Sequence, residues 1–180
     1  CIWAHSIYTV STQDLIESKK IAKQYNSIYQ IHLAETKKEF DDCMKTHGKT
    51  PTKYLYDLNI LDSNTLLAHC VWFTDDDINL LAETWAHVSH CPLSNLKLWS
   101  WIAPIAKMLQ KWVNVTIWTD WAASSNRLDI WEAGKFAALL QKWINYDPSL
   151  LNTKQIMKMM SINWMKALQI NEIDWQTIQD

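Results

Sequence analysis

The chain has 180 residues, of which 48% are hydrophobic and 20% charged, and a net charge of −2. That length and balance fit one domain with a buried core and exclude a disordered chain. They also give no charge-based reason to expect nucleic acid or an anionic membrane as partner, and no apolar run reaches spanning length.

The first run, Ile2 to Tyr8, is short and apolar and carries His5; the polar Thr9–Asp14 leads into a helix over Asp14–Tyr25. A strand over Ile28–Leu33 follows, then a helix from Lys37 to about Thr46. A break at His47-Gly-Lys-Thr-Pro51 precedes a short helix over Thr52–Leu58. Thr65–Trp72 reads as the next strand and ends in Ala68-His-Cys-Val. Thr74-Asp-Asp-Asp is an N-cap with acidic residues in the first turn of a helix over Asp75–Thr84. Ala86–Cys91 is a strand with His87 and His90, and Ile102–Lys111 is an amphipathic helix. Val113–Ile117 is an apolar strand that runs into Thr119-Asp120. A polar loop then precedes a helix over Leu128–Lys142, and Thr153–Met160 and Asn163–Leu168 complete the helical content.

Strand and helix alternate with no hairpin signal, the pattern of stacked β-α units on a parallel sheet. The predicted fold is therefore α/β, with five parallel strands and outer helices forming part of a TIM-type (β/α) barrel. The four cysteines, Cys1, Cys43, Cys70 and Cys91, form no Cys-x-x-Cys pair, and the start has no basic region followed by a long apolar stretch. Reduced, mostly buried thiols and a cytoplasmic protein are the expectation.

Chemistry gathers at the ends of the predicted strands. Tyr29-Gln-Ile-His-Leu-Ala-Glu-Thr-Lys37 delivers His32 and, three residues later, Glu35 just as an apolar run turns polar. An imidazole there can bind a metal, and a carboxylate beside it can move a proton. His5, His69, His90 and Asp120 stand at or near the ends of the other strands, on the edge where parallel α/β folds build their sites. A single histidine at a strand end is more often structural than a ligand, and an aspartate there is often an N-cap. Their coincidence on one edge is what carries weight. Imidazole with carboxylate is a donor set suited to zinc or a similar divalent ion.

The segments Ile31-His-Leu-Ala-Glu-Thr, Ala68-His-Cys-Val, Ser89-His-Cys-Pro-Leu-Ser-Asn-Leu-Lys-Leu and Thr119-Asp-x-Ala-Ala-Ser-Ser-Asn resemble the amidohydrolase superfamily. The likeness is to its branch of deaminases acting on 5-methylthioadenosine and S-adenosylhomocysteine, and it extends from Cys1 to about Ile173. The resemblance implies that His32 and Asp120 are ligands of one divalent metal ion, zinc above all. It implies that Glu35 handles protons on the purine ring and that His69 orients the attacking water and steadies developing charge. Asp120 would also take the water's proton, and His5 would contact substrate alongside Glu35. His90 is left between a supporting and a structural role. The reaction implied is hydrolytic deamination of an adenine nucleoside derivative, with attack on the amino-bearing ring carbon and release of ammonia. Glu35 would then carry a raised pKa. The partner is a small molecule, and a homo-oligomer is left open.

Two departures qualify the likeness. The family's first two ligands come from a His-x-His motif on an earlier strand, and no His-x-His occurs in this chain. Residues 1–180 are therefore expected to be the C-terminal part of a barrel lacking about three strands and most of an accessory β-domain beyond Ile173. Alone, such a fragment is expected to be inactive. Tryptophan is the second departure: the chain has 12 tryptophans and 2 glycines, where an ordinary domain is about 7% glycine. Trp3, Trp85, Trp99, Trp101, Trp112, Trp118, Trp121, Trp164 and Trp175 stand where the family has, or often has, glycine. Trp72 and Trp131 read as genuine, and Trp143 as ambiguous. The expectation is a UGA codon that the cell reads as glycine and this translation as tryptophan. Left-handed or exposed tryptophans should then mark the sites, with Trp118 and Trp121 crowding the aspartate loop. Competing functional readings are another amidohydrolase (a guanine or cytosine deaminase, or a triazine hydrolase) and an inactive fragment or binding module.

Overall fold

The computed structural model describes residues 1–170. In chain order the elements are β1 (Ile2–Ser6), α1 (Thr12–Gln24), β2 (Tyr29–Leu33), α2 (Lys37–His47), α3 (Pro51–Asp57), β3 (Thr65–His69) and α4 (Asp75–Thr84). They continue with β4 (His87–His90), α5 (Pro92–Lys97), α6 (Ile105–Gln110), β5 (Val115–Ile117), α7 (Ala122–Ser125), α8 (Ile130–Ile144), α9 (Thr153–Met160) and α10 (Ile162–Ala167). All five strands pair in parallel in the order β1-β2-β3-β4-β5, as the alternation of elements predicts. Sequential order with parallel pairing and helical crossovers is how a (β/α) barrel is wound, and five strands make part of one.

The strands explain themselves by burial. In β2, Tyr29, Ile31 and Leu33 are buried in the core, while Gln30 and His32, on the opposite face, are only half-buried. β3 and β4 are buried along their whole length, as central strands of a parallel sheet should be. Capping sets the helix starts. Ser11, Thr36, Thr50, Thr74, Asp129 and Asn152 each accept a backbone N–H of the first turn.

At the opposite end of the sheet from the strand termini, Lys19 of α1 is buried and donates to Asp62 at 2.6 Å and Thr65 at 2.8 Å. Thr65 in turn donates to the Ile60 carbonyl at 2.7 Å, so α1, the loop before β3 and β3 itself are tied together.

Several boundaries differ from the sequence reading. The helix expected from Ile102 begins at Ile105, because Pro104 resists helix until its own ring can sit at the start. β3 stops at His69, where the chain turns left-handed, instead of running to Trp72. Two short helices add to that reading: α7 occupies a stretch expected to be loop, and α5 a stretch given no element. The part of the family likeness beyond residue 170, and Trp175 with it, lies outside the described residues.

Candidate active site at the strand C-terminal rim

Because the strands are parallel, their C-termini share one rim, and His5, His32, His69, His90 and Asp120 stand on it. The register sets Ser6 beside His32 and Leu33 beside His69. Three imidazoles follow one another across the rim. The His5 and His32 ring centroids are 5.0 Å apart, and His32 and His69 stack at 5.3 Å. Glu35 faces the last of them, its Oε2 3.8 Å from Nε2 of His69.

Hydrogen bonds to the far nitrogens orient two of these rings. Nδ1 of His32 lies 2.7 Å from the His5 carbonyl, which can only accept. The proton of a neutral His32 ring is thus held on Nδ1, and the Nε2 lone pair is left for a ligand. Nδ1 of His69 donates to Oδ1 of Asn95 at 2.8 Å, and both side chains are buried. Nε2 of His69 is therefore the nitrogen turned toward Glu35.

Asp120 follows β5. Its carboxyl pKa is lowered although burial pushes it up, because the Ser94 and Ser124 hydroxyls and the nearby His69 ring favour the charged form. Of the two hydroxyls, Ser124 is the one in hydrogen-bonding geometry, at 2.8 Å. His90 lies beneath this layer, buried, with neither ring nitrogen hydrogen-bonded among the described residues. Burial, reinforced by His69, pushes its pKa down to about 3, so it is a neutral ring.

The rim is also where the backbone is strained. Ala34, His69, Cys70 and Asp120, just past or at the ends of β2, β3 and β5, all have positive φ. The tryptophans flanking Asp120 do not share that conformation. Trp121 has φ −74° and caps α7, and Trp118 packs edge-on against Trp164 at 5.4 Å. The left-handed residue of that loop is Asp120 itself, at φ 61°. The expected crowding of the aspartate by these two rings is thus corrected: both are largely exposed.

One buried carboxylate was not anticipated. Glu39, in the first turn of α2, accepts the backbone N–H of Ala34 and that of Glu35, each at 2.9 Å. Burial raises its pKa to about 7, with the Glu35 charge adding to the effect and the backbone hydrogen bonds opposing it. A sequence signal existed: Thr36-Lys-Lys-Glu39 has the spacing of a capping box. Asn95 had no such signal beyond its place in the Ser89–Leu98 motif.

His32 Nε2 and the charged Asp120 have the right chemistry for a divalent cation. Among the described residues, however, no group of three or more His, Cys, Asp or Glu side chains is placed to hold one. The donors fit part of a metal site, not a complete one. No helix among those residues is long and apolar enough to cross a membrane.

The chain is similar to known proteins in sequence and in fold. The amidohydrolase family profile matches residues 2–173. A 5-methylthioadenosine/S-adenosylhomocysteine deaminase from Thermodesulfovibrio yellowstonii is 47% identical over 168 residues, 93% of this chain and 38% of that protein. A 5'-deoxyadenosine deaminase from Methanothermobacter thermautotrophicus is 41% identical over 167 residues, 93% of this chain and 39% of that protein. The crystal structure of an adenosine deaminase from Xanthomonas campestris with bound zinc superposes with a TM-score of 0.90 at 30% identity, over 93% of this chain and 38% of that one. An atrazine chlorohydrolase from Arthrobacter aurescens complexed with zinc gives 0.87 at 17% identity, over 93% of this chain and 37% of that one, a likeness of fold alone. This chain spans just under two fifths of the length of these relatives. With five parallel strands in barrel order and a family match over nearly all its residues, the chain belongs to the amidohydrolase family.

Proposed function

We propose that this chain supplies the proton-transfer half of a site for hydrolytic deamination of an adenine nucleoside derivative, of the 5'-methylthioadenosine or S-adenosylhomocysteine type. The observation that carries the reading is Glu35 facing His69 at 3.8 Å, with His32 stacked on the same imidazole. The 47% and 41% identities to proteins named as such deaminases support the substrate class.

Residues 1–180 then form the C-terminal part of a barrel whose remaining metal ligands lie outside this chain. His32 and Asp120 would hold the ion, and zinc is the ion bound in the adenosine deaminase of similar fold. When bound, it would supply Lewis acidity and ionise a water at neutral pH. Asp120, kept charged by its hydroxyl neighbours, accepts a proton from the attacking water. Glu35 delivers a proton to the ring nitrogen next to the reacting carbon; Asp120 then passes the proton it took from water to the amino group, the C–N bond breaks with loss of ammonia, and the hydroxyl proton left on that carbon returns to Glu35. His69, its Nδ1–H fixed by Asn95, turns the Nε2 lone pair to the attacking water and orients it. His5, exposed at the rim beside His32, contacts the substrate.

The test is expression of the full-length gene, followed by zinc analysis and ammonia release from 5'-methylthioadenosine, S-adenosylhomocysteine and 5'-deoxyadenosine. Zinc with turnover of at least one nucleoside supports the reading. Zinc with turnover only of guanine, cytosine or a triazine would move the protein to another branch of the family. A second reading, an inactive binding module, is favoured by the incomplete ligand set. It predicts neither zinc nor ammonia.

A further inference from the structure

We propose that Glu39 is a positioning residue for Glu35: its carboxylate clamps the strand-end turn by two backbone N–H groups and so sets where the Glu35 carboxyl stands against His69. The inference rests on the role proposed for Glu35. Ala34 and Glu35 form the turn out of β2, and Ala34 is left-handed at φ 49°. The turn would relax unless something held it. Glu39 holds it from one side, with Oε1 on the Ala34 N–H and Oε2 on the Glu35 N–H. From the other side the Ala34 carbonyl accepts the N–H of Val71 at 3.1 Å and of Trp72 at 2.9 Å. In an ordinary capping box the N3 glutamate would bond the N-cap N–H. Here Thr36 caps α2 by accepting from Glu39 N, and the Glu39 carboxylate takes the N–H groups of the two residues before Thr36.

Both oxygens are needed as acceptors, so the clamp depends on ionisation. Protonation turns one oxygen into a hydroxyl and leaves one N–H poorly satisfied. Glu39 ionises near 7 because burial outweighs its hydrogen bonds. The ionisable groups facing it are Glu35 in the turn, Cys43 one helical turn on and Cys70 after β3, and Asp77 of α4 bears on both thiols. Burial raises both thiols, Cys43 to about 11, so they stay protonated through this range. Above pH 7 the clamp is closed, and below it the turn is held by one bond fewer.

The test begins with nuclear magnetic resonance of the isotope-labelled complete enzyme. The Ala34 and Glu35 amides should shift with a single midpoint, shared with the Glu39 carboxyl carbon, and Glu39→Gln should abolish it. Amides that ignore the Glu39 titration overturn the clamp, and that titration needs no variant. In the complete enzyme, Glu39→Gln should lower kcat, by up to about 100-fold, at unchanged KM and zinc content. An unchanged kcat overturns the positioning role. A complete wild-type enzyme that releases no ammonia refutes the proposed function instead, while the amide titration still decides the clamp.

A second observation stands independently. We infer that residues 85, 99, 101 and 112 are glycine in the protein as its cells make it. These four tryptophans all have positive φ, from 60° to 95°, and are 62–89% exposed. Trp99 and Trp112 sit at the C′ position of complete Schellman motifs. Trp99 donates to Leu96 O and Ser100 to Asn95 O after α5, and Trp112 to Leu109 O and Val113 to Met108 O after α6. Trp85, at φ 60° and ψ 19°, repeats the conformation of Gly48, at 65° and 21°, which ends α2. Asn26, Asn59, Tyr146 and Gln169 show that this chain places other side chains at helix ends with positive φ. The concentration of exposed tryptophan there is what marks recoding. Trp72, by contrast, donates its indole N–H to Ser100 O at 2.8 Å, as a genuine tryptophan should. Trp164 does the same to Ile117 O at 2.8 Å, and nothing in its surroundings marks a glycine. Peptide mass spectrometry of the protein purified from its own cells should find glycine at 85, 99, 101 and 112 and tryptophan at 72. Tryptophan at any of the four overturns the inference.

Discussion

Replacing Trp85, Trp99 and Trp112 by glycine should make the chain more stable, against the usual effect of deleting large hydrophobic side chains. Each indole is 71–89% exposed, so little burial is lost. A left-handed residue with a Cβ costs about 1–2 kcal/mol, and the greater freedom of glycine in the unfolded chain returns about 0.4–1 of that. The net gain is about 0.5–1 kcal/mol per site. The three sites close different helices, so their effects should add to about 2 kcal/mol. Trp101 is left out because it neighbours Trp99. Urea unfolding of the triple variant should show a higher midpoint with an unchanged slope, and a melting temperature about 4–8 °C higher. Trp72→Gly is the control. Its ring is half-buried and hydrogen-bonded to Ser100 O, so that variant should be less stable than the parent. A triple variant no more stable than the parent would refute the strain argument, whatever the codons prove to be.

The remaining predictions concern the site and the fold beneath it. In the complete enzyme, Glu35→Gln should keep zinc and lose turnover by orders of magnitude, whereas His32→Ala should lose both; metal analysis beside an ammonia assay separates them. Glu39 has a folded pKa raised from 4.5 to about 7, so its stabilising contribution is full below about pH 4.5 and lost as pH rises through 7. The loss is on the order of 3 kcal/mol, and Glu39→Gln should remove that slope from denaturation curves taken across the range. Asn95→Leu should free Nδ1 of His69, detectable as a change of ring tautomer in nitrogen spectra, and lower kcat without loss of zinc. Asp62→Asn strands the buried Lys19 ammonium and should cost about 3 kcal/mol or more; Lys19→Met should cost less, because Asp62 is one-third exposed.

Periodicity made the sheet legible because parallel strands buried on both faces are continuous apolar runs separated by amphipathic helices. β2 and α4 could be placed nearly to the residue, since Thr74 caps α4 and polar Glu35 closes the run after β2. What escaped was decided by contacts no local pattern contains. α5 and α7 are six and four residues long, too short for a period to show, although Pro92 at the start of α5 was a usable signal. β3 ends at His69 because two consecutive left-handed residues turn the chain, and histidine followed by cysteine gives no hint of that. Site residues at strand ends were readable as types in a place. Of their supports, Asn95 acts across twenty-six residues of chain and was not, and Glu39 was legible as a capping-box glutamate but not as the clamp on Ala34 and Glu35.

The two glutamates near β2 differ in their surroundings, and the difference matches the two tasks proposed for them. Glu39 is nine-tenths buried and ionises near 7, while Glu35 keeps 18% of its side chain exposed at the rim. Exposure is what a residue meeting substrate requires, and burial is what a residue fixing the backbone requires, because a clamp open to water would exchange its N–H groups for solvent. The two stand four residues apart in the chain, Glu35 in the turn out of β2 and Glu39 in the first turn of α2, joined by the bond from the Glu35 N–H to Glu39 Oε2. Each carboxylate therefore also weighs on the other: the Glu35 charge raises Glu39. Substrate that takes the proton from Glu35 leaves it charged and so makes Glu39 easier to protonate. The proton-transfer step and the stiffness of its support are coupled through that pair. The coupling predicts that Glu35→Gln lowers the Glu39 midpoint in the amide titration, and a midpoint that stays put would show the two carboxylates to be independent.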